Sequence, residues 1–95
     1  MLEKVKHALR ISASAYDSEL TSLIMAGAAD LSVAGIYTRG NALNISDPLI
    51  TRAIITYVRL NFGSPDDYDR LKRSYDEQKA QLITTVMYGG LEGIE

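Results

Sequence analysis

The chain has 95 residues, 46% of them hydrophobic and 23% charged, with a formal charge of −2 and no cysteine. That length makes one small domain, and this balance excludes wholesale disorder. The missing thiols exclude disulfides and thiolate metal sites, and the acidic surplus argues against a protein that grips nucleic acid by neutralising phosphates.

Met1 to Arg10 is charged and has no apolar run, so no signal peptide is expected there. Asp30, Arg52 and Arg59 interrupt the longest apolar stretches, so no membrane span is expected either. A domain of this size buries roughly 60–65% of its unfolded surface, and a partner that covers more would add stability.

The apolar pattern has a period near 3.6 almost throughout, which predicts an all-α domain of four helices. The first runs over Leu2–Leu9, with Leu2, Val5 and Leu9 on one face and Glu3, Lys4, Lys6 and His7 pointing elsewhere. The second starts near Ser14, where Ser14 and Asp17 have the spacing of a capping box, or at Asp17 acting as the cap itself. Tyr16, Leu20, Leu23, Ile24, Gly27, Ala28 and Leu31 then form one stripe, closed by Gly35. Gly27 within that stripe suits close helix packing, or else a hinge between two states of a ring subunit.

Turn residues from Ile36 to Ser46 predict a long loop. Asp47 and Pro48 are the cap and first position of a third helix that continues to Asn61. Its apolar residues cover more than half the circumference, leaving Arg52, Thr56 and Arg59 as a solvated strip. Such a helix is central to the core, or buried on a second side by a partner. The fourth helix is expected from Ser64 as cap and Pro65 as first residue, with Asp66 and Asp67 in its first turn. Tyr68, Leu71, Tyr75 and Leu82 form its stripe, with favourable pairs Asp69–Arg73 and Asp76–Lys79. The expected organisation is a helical domain over residues 1–82 and an irregular tail over 83–95. That tail reads as helix, since Val86 continues the fourth stripe, as strand, since 83–88 is β-branched and aromatic, or as a disordered segment that a partner orders, since glycines follow.

No catalytic constellation is visible. His7 is the single histidine, with no serine or cysteine placed to partner it, and no glycine loop has the pattern of a phosphate cradle. Asp66, Asp67 and Asp69 lack the glycine and terminal glutamate of a calcium loop. No metal and no cofactor is expected, and the chain reads as a non-enzyme. Six tyrosines against one phenylalanine favour an interface protein. Interface candidates are Tyr37, Arg39 and Asn41 in the loop, Arg52 and Arg59 on the third helix, and Val86 and Tyr88 in the tail.

The succession of motifs resembles the small head–tail connector (adaptor, or head-completion) proteins of tailed double-stranded DNA phages and prophages. It runs from Leu2-Glu3-Lys4-Val5-Lys6 through Leu9-Arg10-Ile11-Ser12, Asp17-Ser18-Glu19-Leu20, Leu23-Ile24, Ala28 and Ala34-Gly35-Ile36. After the loop come Asp47-Pro48-Leu49-Ile50, Ala53-Ile54, Tyr57-Val58 and Asn61-Phe62-Gly63. Tyr68, Leu71, Ser74-Tyr75 and Leu82 complete it.

The resemblance implies a structural subunit, assembled in the bacterial host cytoplasm, that sits at the head–tail junction of the virion. Its implied partners are the portal protein, a stopper or tail-completion protein, and further copies of itself. Those copies form a dodecameric ring on the portal after DNA packaging and are monomeric when free. DNA passes through such a ring without specific binding. The loop 36–46 and the tail 83–95 are the candidate contacts with portal and tail, in unassigned order. The alternative is a small helical DNA-binding regulator.

Overall fold

The computed structural model describes residues 1–36, 44–45, 47–63 and 65–84. Within them lie α1 (Leu2–Leu9), α2 (Asp17–Val33), α3 (Pro48–Asn61) and α4 (Tyr68–Thr84). A short 3-10 turn over Ser14–Tyr16 leads into α2. The fold is all-α, as the periodicity predicts.

Helix α3 is the centre of the bundle, since α1, α2 and α4 all pack on it. Its Ile50, Ala53, Ile54 and Val58 are fully buried, and they meet Val5, Leu20, Leu31, Leu71, Tyr75 and Leu82 from the other helices. Most of the wide apolar surface of α3 is therefore consumed inside one chain, with Leu49 left 39% exposed. Thr56 belongs to this buried set rather than to a solvated strip, and its hydroxyl donates to the Arg52 carbonyl at 3.0 Å. Asp47 caps α3 as expected, with Oδ1 accepting from the backbone of Leu49 at 3.0 Å and of Ile50 at 3.4 Å.

The other helix starts differ from the sequence expectation. No side-chain cap forms at α2: the chain enters through the 3-10 turn, and Asp17 turns instead to Lys6 Nζ at 2.7 Å. Lys6 is consequently buried, not pointed to solvent, because a carboxylate is there to receive its ammonium. Helix α4 begins at Tyr68, with Pro65, Asp66 and Asp67 in the turn before it. Asp67 carries the start, as its carbonyl accepts from Leu71 N at 2.9 Å and its carboxylate holds Arg70. Among the described residues the α4 surface pair is Lys72–Asp76 at 2.7 Å, and Lys79 reaches Asp30 of α2. The expected pairs Asp69–Arg73 and Asp76–Lys79 are replaced by these. Ile83 and Thr84 continue α4 as helix.

Helices α1 and α2 end with the same hydrogen-bonded device. At α2, Gly35 N–H donates to Ser32 O and Ile36 N–H to Leu31 O, both at 3.0 Å, with Gly35 at φ 87°. At α1, Arg10 N–H donates to His7 O at 3.1 Å and Ile11 N–H to Lys6 O at 2.9 Å. There the left-handed residue is Arg10, at φ 59° and ψ 42°, which costs about 1 kcal/mol that glycine would not.

Gly27 lies in the α2–α3 seam. A Cβ built there would stand 3.0 Å from Tyr57 Cδ1 and 3.2 Å from Tyr57 Cγ. The contact reaches the root of the tyrosine side chain, which cannot swing away without moving α3. An alanine would gain about 1 kcal/mol of helix propensity but incur an overpacking cost of about 1–3 kcal/mol. Gly27→Ala is expected to lower the thermal midpoint by a few degrees in a calorimetric scan. A higher midpoint would mean that the seam opens freely, which is the behaviour of a hinge.

Candidate functional site

Three features of the bundle carry chemistry beyond the apolar core. The first is a polar cluster where α2 meets α4 beside α3. Asp30 of α2 accepts a hydrogen bond from the Tyr75 hydroxyl and another from Lys79 Nζ at 3.2 Å. Lys79 also stands 5.2 Å above the Tyr75 ring, and Tyr57 of α3 meets that ring edge-on at 5.4 Å. The Tyr75 hydrogen bond, with Lys79 adding to it, holds the Asp30 carboxyl below the usual carboxylate range against the opposing effect of burial. Burial, and then the bond to Asp30, pushes the Tyr75 phenol well up. These are marks of a structural clamp, in which each group is tied to another.

The second feature is an open groove of about 360 Å³ between α3 and α4. Arg52, Arg59 and Arg70 line it, with Thr51, Ser74 and Gln78 in its walls. Arg52 and Arg59 are exposed and have no ion-pair partner among the described residues; Arg70 is held by Asp67. The structure thus brings together the two arginines singled out in the sequence, two turns apart on α3, and adds a third from α4. Arg70 was missed because its position depends on the antiparallel return of α4. The short connection after Phe62 was the signal that could have found it.

The third feature is the outward face of α2. Ser18, Ser22, Met25, Ala26, Ala29, Ser32 and Val33 are all exposed and none is charged. Met25 is 67% and Val33 88% exposed, so two large apolar side chains stand in water on a helix whose opposite face fills the core. Exposed Glu19 and Thr21 flank this face, and its apolar part centres on Met25 and Val33. The signal in the sequence is the run Leu20–Ala29, which holds no charged residue between Glu19 and Asp30.

Of the other candidates, Tyr37, Arg39, Asn41, Val86 and Tyr88 lie outside the described residues. Tyr16 and Tyr68, expected in the core or at its edge, are 46% and 47% exposed. Tyr16 keeps an edge-on contact with Phe62 at 5.5 Å. His7 is exposed at the end of α1, beside Lys6 and Arg10. Among the described residues no group of three potential ligands is placed to hold a metal, and no helix is long and apolar enough to cross a membrane.

The family model described as phage connector protein matches residues 1–89. The chain belongs to the phage connector protein family. The match covers all four helices and continues past the end of α4. No curated protein and no solved structure matches the chain. A phage connector role also fits a chain whose most distinctive features are surfaces, a cationic groove and an uncharged helix face.

The clamp makes stability depend on pH at both ends. Asp30, with its folded pKa lowered, contributes stability above the ordinary value of 3.8 that is lost as pH falls through the folded value. Tyr75, raised, contributes fully below its ordinary value of 10.0 and loses that contribution as pH rises further. Tyr75→Phe is expected to cost about 1 kcal/mol near neutral pH in urea unfolding. That is below the 1.5–3 kcal/mol usual for charged hydrogen bonds, because the Asp30 side chain is 38% exposed. The gap between this variant and the natural protein should narrow at about pH 3 and again at about pH 11.

Proposed function

We propose that this phage connector protein is the subunit of a ring that docks on the portal after DNA packaging and links the capsid to the tail. Membership of the connector family across residues 1–89 is the observation that carries the reading. The physical features agree with it. A cyclic ring needs two different patches on each subunit, so that one copy's first patch meets its neighbour's second. The uncharged outer face of α2, with Met25 and Val33 in water, supplies one apolar patch that another copy can cover. The net charge of −2 lacks the cationic surplus that would fasten DNA inside a channel.

The role is structural rather than enzymatic. Its partners are the portal, a stopper or tail-completion protein, and other copies of the chain, in the virion at the head–tail junction. The loop 36–46 and the tail 83–95 are the segments assigned to portal and tail. Individual contacts can be weak, because a ring engages them all at once. A DNA-binding regulator would need a reading helix with several outward polar side chains, whereas α3 presents Arg52, Arg59 and the terminal Asn61 and packs its remaining sides on the other helices.

Co-sedimentation with a purified portal ring tests the reading: the full chain should pellet with the portal. Removal of residues 85–95 should weaken attachment while leaving the helical circular dichroism intact. Met25→Asp with Val33→Asp should leave the isolated subunit folded and block the closed ring. Failure of the full chain to bind any portal, together with tight duplex binding at low salt, would replace the connector reading with the regulator.

A further inference from the structure

We propose that the outward face of α2 docks in the arginine groove between α3 and α4 of the next copy of the chain. The contact presupposes the ring subunit proposed above and names the two surfaces that meet in it. Gly27 of α2 meets Tyr57 of α3 in the seam between those helices. At about 100° per residue, Met25 and Ala29 each stand about 160° around α2 from Gly27. By the same count, Arg52 and Arg59 stand about 140° and about 160° around α3 from Tyr57. The α2 face and the groove therefore look outward on opposite sides of the bundle. One copy cannot bring its own α2 face to its own groove, but two copies can meet head to tail. A rotation between successive copies then closes the contacts into a ring.

Charge divides between the same two helices. Helix α2 carries Asp17, Glu19 and Asp30 and no basic residue, whereas α3 carries Arg52 and Arg59 and no acidic one. Asp17 is engaged by Lys6, and Asp30 by Tyr75 and Lys79. That leaves exposed Glu19, at the edge of the α2 face, as the carboxylate of α2 with no ion-pair partner among the described residues. Arg52 and Arg59 are the unpaired guanidiniums on the opposite side. Ser18, Ser22 and Ser32 add hydroxyl oxygens to the α2 face, and these accept from guanidinium N–H groups.

Shape agrees with charge. A single helix with small side chains is the ridge that a groove between two helices receives. Ser22, Ala26 and Ala29 keep the outer surface of α2 low. Met25 rises above them at 67% exposure, and Ile55, partly buried in the groove wall, offers its flexible thioether an apolar seat. The aliphatic stems of Arg52 and Arg59 lie along the margins while their heads reach the serines and Glu19. Arginine suits such a place, since a guanidinium is more weakly hydrated than an ammonium and loses less on leaving water. An acidic peptide in the groove would satisfy the guanidiniums yet leave Met25 and Val33 in water. A second copy covers both surfaces with one contact.

The chain has no cysteine, so single thiols report the contact. Met25→Cys puts one on the exposed α2 face, and the near-isosteric Ser74→Cys puts one in the groove wall. A mixture of the two variants, treated with a short thiol crosslinker, should give several times the covalent dimer that either variant gives alone. The measurement is made on the concentrated free chain and again with a portal ring present, with circular dichroism confirming that each variant is helical. Arg52→Glu with Arg59→Glu in the Ser74→Cys copy should lower the mixed yield about tenfold, and Glu19→Arg in the Met25→Cys copy should recover part of it. Arg73→Glu, on the exposed side of α4 away from the groove, should leave the yield unchanged. Dimers that form as readily from Met25→Cys alone would pair α2 with a second α2 and overturn the proposal. A mixed yield that survives the double arginine change would overturn it too, as would no mixed dimer in either setting. Portal capture without the mixed crosslink removes this contact and leaves the connector reading standing; the crosslink without portal capture does the reverse.

Discussion

The ring of Tyr57 lies against the bare backbone of Gly27 on one side and against the edge of Tyr75 on the other. That single side chain sets the separation of α2 from α3 and the position of α4 beside them. Asp30, one turn after Gly27 on α2, then comes within reach of the Tyr75 hydroxyl and the Lys79 ammonium of α4. Since α2 and α4 both pack chiefly on α3, this polar clamp is a direct tie between two helices that the core connects through a third. A larger residue at 27 would displace the ring and with it both neighbours.

Local signals in the sequence placed what local physics decides. The Leu2–Leu9 stripe, the Asp47-Pro48 start and the Gly35 stop all act within one or two turns, and each was readable as written. Signals that compete with tertiary partners were not. Asp17 had the spacing of a cap but found a stronger use as the counter-ion of Lys6, a residue on another helix. Pro65 had the look of a first helical residue, yet the turn after Gly63 at φ 69° postpones α4 to Tyr68. The left-handed Arg10 carries no glycine to announce it; only the hydrogen bonds to His7 and Lys6 mark the end of α1.

The surfaces divide along the same line. Arg52 and Arg59 were visible as a pair because seven residues return to nearly the same side of a helix. Their companion Arg70 comes from the tertiary return of α4, which no periodicity encodes. The apolar surplus of α3 could be read equally as a core helix or as a second buried side, and the structure resolves it by surrounding α3 with the other three helices. Among the described residues an uncovered surface lies on α2, where Met25 and Val33 stand among serines and alanines.

That face has a thermal consequence. Contacts made through methionine, valine, alanine and hydroxyl residues, with no ion pair among them, gain their free energy from water released off apolar surface. Such contacts carry a negative heat capacity change on association and weaken as the temperature falls towards freezing. On the reading proposed above, association through α2 weakens on chilling and strengthens on warming.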